Sequence, residues 1–207
     1  MTTGRAEAFS DGVFAVAITV LVFGLQPTGH GSLAHQLLHA WPNYLAYVVS
    51  FITIGIMWMN HHTILAHVYR VDRPLLVLNL LLLLGVVAIP FPTGLVADHL
   101  GQPGRAGNAA AVAYGLVMIV ISIGFAGLWV YVVTHAQALG AVAVPPEALR
   151  ASIPGFTGGL LAYVVATLIA LWSALAAVII YGALGVYYLF EHLPSPAADD
   201  GPGPAVS

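Results

Sequence analysis

The sequence predicts an all-α, polytopic membrane protein, and three observations carry that prediction. Of its 207 residues 60% are hydrophobic and only 6% are charged, against about 25% charged residues in soluble domains. Its mean hydropathy is +0.95. Apolar stretches of about 20 residues, the length a helix needs to cross a hydrocarbon core of about 30 Å, recur between short breaks containing Pro, Gly, His or Arg. This composition excludes an ordinary water-soluble enzyme, a nucleic-acid binder and a disordered tail protein. Five Arg and no Lys against eight acidic residues give a net charge of -3 and leave no basic surface for DNA or RNA. With no cysteine in the chain, disulfides, thiolate metal sites and cysteine catalysis are ruled out. Glu7 and Asp11 interrupt the start of the first apolar run, so that run is expected to stay rather than to be cleaved as a signal peptide.

Six spans follow from the breaks. The first covers 9–25, closed by Gln26-Pro27 and a loop through Gly29, His30 and Gly31. The second, 41–67, ends at the charged turn Tyr69 to Pro74, and the third covers 75–97. The fourth, 106–134, follows a Gly- and Pro-rich break at 101–107. The run 153–193, uncharged until Glu191, would be about 60 Å long as one helix, twice the core of a bilayer. It reads as a hairpin of spans 153–171 and 173–192 turning near Leu171 to Ser173, although no Pro or Gly marks the turn. Residues 1–193 thus form one six-span unit, and the acidic, Pro- and Gly-rich tail 194–207 is expected to be disordered. With both termini cytoplasmic, Arg5, Arg70, Arg73 and Arg150 lie inside and only Arg105 outside, as the positive-inside rule asks. Five spans fit the same arginines equally well. No internal repeat is visible, so any symmetry has to come from several chains.

The most informative polar cluster opens the first span: Arg5, Glu7, Phe9, Ser10 and Asp11, running into Phe14-Ala15-Val16-Ala17-Ile18-Thr19. One reading is local, with Ser10 or Asp11 capping the helix and Arg5 anchoring it. The other takes the whole string, because Arg5-x-x-x-Phe9-Ser10-Asp11 closely resembles the signature of the transmembrane protein 175 family of potassium channels. Trp58, Asn60, His61 and His62 late in the second span, Asn79 in the third, and Pro90-Phe91-Pro92-Thr93 look like further positions of that family. The resemblance covers the first 95 residues or so; the remainder matches only in hydropathy and span count.

The resemblance implies a homotetramer in the cell membrane whose first spans line a central potassium pore with apolar and threonine rings in place of a carbonyl filter. Carried over, the narrowest ring is Val16, the threonine layer Thr19, and further pore-facing positions Val20 and Phe23. Their i, i+3, i+4, i+7 spacing permits one helix face. Ile or Leu is commoner in the family at the positions of Val16 and Val20, and Phe23 is bulkier than its usual Leu. Without the adjoining signature, the same stripe reads as lipid-facing or packed. Asp11 would pair with Arg5 or accept from the Trp58 indole, while His61 and Asn79, with His62 nearby, complete a network that positions the first span. No Thr-Val-Gly-Tyr-Gly filter string and no mid-span acidic residue is present, so apolar and hydroxyl rings are what a cation path could use.

His30, His35 and His39 lie between the first two spans; the i, i+4 spacing of the last two can bring two imidazoles to one metal, but with no acidic partner between Gln26 and Trp41 the signal is weak and they read as surface-loop residues. His61 and His62 point about 100° apart on a helix and cannot share a site unaided. No enzyme motif, organic cofactor or metal site is expected, only potassium as the permeant ion. Two competitors stay open: a proton-coupled secondary transporter, which would want a mid-membrane carboxylate or His and broken helices in two halves, and a histidine-based intramembrane metal-binding protein using His61, His62 and His67.

Overall fold

Each break in the apolar pattern becomes a helix boundary with an identifiable cause. The computed structural model describes residues 3–25, 32–102, 105–140, 147 and 153–189; Arg150, His30 and the tail 194–207 lie outside them. The helices are α1 (Thr3–Val20, continued by a 3-10 turn Leu21–Gly24), α2 (Leu33–His39), α3 (Trp41–Ala66), α4 (Arg73–Ala88), α5 (Pro90–His99), α6 (Ala106–Thr134), α7 (Ile153–Ala170) and α8 (Ala174–Leu189). No strand occurs among the described residues. Among the described residues four stretches are long and apolar enough to cross a membrane: Thr3–Gly24, Trp41–Ala66, Arg73–His99 and Ala106–Thr134; Gly158–Ala170 and Ala174–Leu189 are shorter apolar helices.

Two boundaries differ from those expected. Helix α1 begins at Thr3, six residues before the expected span, so Ser10 and Asp11 lie inside it and cap nothing. A helix tolerates them there because Ser10 Oγ donates back to the Ala6 carbonyl at 2.9 Å and Asp11 meets a neighbouring helix. The third apolar segment is split at Ile89 because Pro90 has no N–H to continue the ladder. Ile89 N bonds back three residues to Val86 O at 3.1 Å, and Thr93 resumes the ladder onto Ile89 O.

Helix α6 is central, packing against α4, α5, α7 and α8, while α3 packs on α1, α5 and α8. Its glycines let neighbours close in: a side chain at Gly115 would collide with Thr167 and the Tyr181 hydroxyl. The hairpin between α7 and α8 turns at Leu171-Trp172-Ser173 without Gly or Pro. Asn108 of α6 supplies what the turn lacks, donating to Leu171 O at 3.0 Å and accepting from Ala174 N at 3.1 Å.

The traverses alternate in direction. Thr3 Oγ1 donates to Val68 O, and Tyr69 N and Arg70 N both donate to Leu139 O. This gathers the start of α1, the α3–α4 turn and the segment after α6 at one end. The α7–α8 turn, held by Asn108 near the start of α6, lies at the other.

At the first of these ends, Asp72 caps α4 through Oδ1, which accepts from Leu75 N at 2.9 Å, while Oδ2 accepts from the Tyr131 hydroxyl at 2.6 Å. Burial opposes its charge, but the Tyr131 and Leu75 hydrogen bonds prevail and hold the carboxyl below its ordinary value. A carboxylate depressed by folding stabilises the fold above its unfolded pKa, and that contribution disappears as pH falls through the folded value. Thermal melts of detergent-solubilised protein are expected to lose stability below about pH 4, and Asp72→Asn, which still caps α4, is expected to flatten that acid limb. An unchanged limb in the variant would assign it to other groups.

Candidate functional site: the two faces of the first helix

Helix α1 has one face in the bundle and one outside it. Ala6, Ser10, Phe14, Ala17 and Leu21, spaced by three or four residues, are buried against α3 and α4. The opposite face carries Arg5, Phe9, Gly12, Val16, Thr19, Val20 and Phe23, all exposed. Val16 is 58% and Phe23 71% accessible. The four stripe residues therefore share the free face, and the 3-10 turn stacks Phe23 almost directly over Val20, since three residues complete one of its turns. The stripe from Val16 to Phe23 spans about 10 Å.

Thr19 is the stripe's polar residue. Its hydroxyl donates to Val16 O at 2.9 Å, so its proton is spent on the helix's own backbone and its oxygen offers lone pairs. A group in that state suits a cation and repels an anion. At the far end, Asn43 Nδ2 donates to Gly24 O at 3.2 Å, tying the last turn to the start of α3. Beside it Val20, Phe23, Asn43, Tyr47 and Thr93 help to line a cavity of about 310 Å³.

Two sets of polar contacts hold the buried face. The inner set is a directional chain across three helices. His61 Nε2 meets Asn79 Oδ1 at 2.7 Å, Asn79 Nδ2 donates to Ser10 Oγ at 3.0 Å, and Ser10 Oγ donates to Ala6 O. Because the Asn79 oxygen accepts, the network assigns the proton to His61 Nε2. Nδ1 has no hydrogen-bond partner among the described residues; as a bare acceptor it costs less than an unpaired N–H would. The Phe14 ring closes over the imidazole at 5.4 Å. His61, Ser10 and Asn79 are all at most 3% exposed, so this chain sits in the driest part of the α1 interface.

The outer set is a ladder at the helix edge. Trp58 Nε1 donates to Asp11 Oδ1 at 2.8 Å and His62 Nδ1 lies 2.5 Å from Glu7 Oε1. Glu7 and Asp11 are i, i+4 on α1 and Trp58 and His62 are i, i+4 on the antiparallel α3, so one register satisfies both rungs. Asp11 thus meets Trp58 and not Arg5, which is exposed and makes no ion pair among the described residues. Adjacent His61 and His62 part company, one into the core and one to the rim. Asn60, half-buried, faces another cavity with Thr53 and Tyr163. The sequence reading named Glu7 in the opening cluster and Thr93 in the Pro90 to Thr93 string but gave neither a partner, and it did not single out Asn43, Ser50 or Tyr114; Ser50 Oγ lies 2.8 Å from Thr93 Oγ1 and 3.2 Å from the Tyr114 hydroxyl. The matched i, i+4 pairs were the available signal for Glu7. Nothing local marks Ser50, whose partners lie 43 and 64 residues away.

Among the described residues no group of three or more His, Asp or Glu converges as a metal site would. What the arrangement can do is hold one helix rigidly by one face while presenting a mostly apolar stripe with an oriented hydroxyl on the other.

The profile of the family described as "Endosomal/lysosomal potassium channel TMEM175" matches residues 5–90. A Streptomyces collinus protein named as a potassium channel is 43% identical over 200 residues, 95% of this chain and 96% of that one. The crystal structure of a lysosomal potassium-selective channel TMEM175 homolog from Chamaesiphon minutus is 36% identical, with a TM-score of 0.80 over 92% of this chain and 97% of that one. A Gallus gallus protein named as the endosomal/lysosomal proton channel TMEM175 is 37% identical over 105 residues, 45% of this chain and 21% of that one.

Asn79 is the junction of the inner chain. Asn79→Ala strands the His61 N–H and leaves Ser10 without a donor, at an expected cost of about 1–3 kcal/mol in thermal or denaturant unfolding in detergent. A cycle of Ser10→Ala, Asn79→Ala and the double variant is expected to give a coupling of about 0.5–2 kcal/mol; additive effects would show that the two residues act separately.

Proposed function

Because the chain belongs to the TMEM175 family, we propose that it is a potassium-selective cation channel subunit that assembles as a homotetramer in the cell membrane, with α1 of each protomer around the central path. The observation that carries this reading is the free face of α1. An apolar stripe interrupted by one outward-facing hydroxyl oxygen is the lining a channel without a carbonyl filter needs, and four copies around an axis would turn each residue into a ring. The tetramer, the ring assignments and the identity of the ion belong to this reading. So do six spans with both termini cytoplasmic, which the gathering of Arg5, Arg70 and Arg73 at one end of the bundle supports.

The mechanism follows from solvation. Moving a bare monovalent ion from water into an apolar medium costs on the order of 20 kcal/mol in the idealised limit. A closed ring of Val16 side chains is therefore a barrier, and it gates by excluding water. When the ring widens, the ion keeps part of its hydration, and the Thr19 oxygens one turn further on replace some of what it sheds. Because each Thr19 proton is committed to Val16 O, this layer presents acceptors. The Trp58–Asp11 and His62–Glu7 contacts, with the buried chain behind them, position the pore helix and do not themselves touch the ion. No cofactor takes part.

Purified protein in liposomes, with potassium, sodium and proton fluxes compared under equal gradients, tests the proposal. Wild type is expected to carry potassium in preference to sodium. Val16→Ala or Thr19→Ala is expected to lower that preference by about tenfold, the equivalent of about 1.4 kcal/mol. No flux above empty liposomes from folded, oligomeric protein would remove the channel reading, and a proton flux without potassium flux would change the permeant ion.

Asp11→Ala separates positioning from selection. It is expected to reduce assembly or total flux while leaving the potassium-to-sodium ratio intact. A tetrameric, active variant that had lost its potassium preference would place Asp11 in the selectivity element instead.

A further inference from the structure

We propose that His35 and His39 of α2 form a binding site for a divalent transition-metal ion of the zinc, nickel or copper class. Of the nine histidines in the chain these two alone are spaced i, i+4, the separation that stacks side chains on one helix face. The structure supplies the helix. Ser32 caps it, its hydroxyl accepting from His35 N at 3.4 Å, and Gln36 N bonds to Ser32 O. At its other end α2 runs through Ala40 directly into α3. The two imidazoles lie against each other, with ring centroids 4.0 Å apart and planes at 34°.

The hydrogen bonding of His39 is already that of a metal ligand. His39 Nδ1 lies 3.0 Å from the His35 carbonyl oxygen, and since a carbonyl only accepts, that nitrogen carries the proton. Nε2 is left with its lone pair. A ligating histidine characteristically donates its other ring N–H to a carbonyl or carboxylate in this way, which fixes both tautomer and ring orientation. Two metal–nitrogen bonds of about 2.0–2.1 Å at a tetrahedral angle place the nitrogens about 3.3 Å apart. The two ring centroids, 4.0 Å apart, lie within about an ångström of that separation.

The ligand chemistry is restrictive. Imidazole nitrogens select zinc, copper and nickel over magnesium and calcium, which prefer oxygen, and the chain has no thiolate to compete. Both histidines are exposed, so an ion reaches them without crossing a barrier. The site is open, the protein contributing two ligands and water the remainder. Binding has a structural consequence as well: a seven-residue helix is marginal by itself, and an ion bridging one of its turns adds its binding energy to helix formation.

The site does not depend on whether the chain conducts ions, so its test needs no flux. Tag-free full-length protein in detergent is titrated with nickel chloride by calorimetry, and with copper for paramagnetic resonance. One nickel site per chain is expected to weaken by at least about tenfold in His35→Ala and equally in His39→Ala, with His99→Ala unchanged. The copper spectrum is expected to show two nitrogen ligands at that site in wild type and one in either variant. Nickel is also expected to slow amide exchange at residues 36–39. Both variants are at exposed positions, and unchanged melting temperatures would verify that the fold is intact. Wild-type affinity in both variants, loss in only one of them, or no nickel bound by wild type would each overturn the assignment.

Discussion

Everything proposed for α1 depends on its being held from one side. The buried chain from His61 through Asn79 and Ser10 to the Ala6 carbonyl joins three helices in a region with no competing water, where an unmade hydrogen bond has no cheap substitute. Side-chain packing of Phe14, Ala17 and Leu21 adds area but little rotational preference, because a helix apolar on all sides can pack any of its faces. The polar chain supplies that preference. It fixes which face of α1 is inside, and thereby fixes that Val16, Thr19, Val20 and Phe23 are outside.

The outer ladder then sets the register. Glu7 with His62 and Asp11 with Trp58 are satisfied together only when α1 and α3 run antiparallel at one offset, and a slip of one turn would break both rungs. Orientation about the helix axis and position along it are thus controlled by different residues, the first set dry and the second partly wet. Both lie in the first half of α1. Its far end relies on the Asn43 bond to Gly24 and on the change to 3-10 geometry.

Much of this was legible in the sequence, for reasons that differ by feature. Long apolar helices announce themselves by composition, since a bilayer leaves a chain no other way to satisfy its backbone. Trp58, His61 and Asn79 stood out because a polar residue in such a helix needs a partner, and the family resemblance carried by Arg5, Phe9, Ser10 and Asp11 suggested which. The break in the helix at Ile89 follows from a rule that was available, the missing N–H of Pro90, and 75–97 still lies within one apolar stretch, Arg73–His99. Nothing local gives the cause of the α7–α8 turn, which is Asn108, more than 60 residues away. Ser50 and Tyr114, and the partner that Thr93 finds in Ser50, were invisible for the same reason. Helical periodicity reports which residues share a face and says nothing about which distant face they meet.

The free face of α1 poses the remaining physical question, since Val and Phe facing outward from one chain are compatible with lipid. Thr19 argues otherwise. On a lipid-facing helix a threonine hydroxyl donates to its own backbone simply to hide its proton, and the bond to Val16 O would then be the end of the matter. But that bond leaves the oxygen's lone pairs unpaired, a cost that hydrocarbon cannot relieve and that water or a cation can. The same hydrogen bond that makes Thr19 tolerable in a membrane makes it useful only beside something that needs an acceptor. In a stripe otherwise built of Val and Phe, that asymmetry is what the proposed path for cations would draw on.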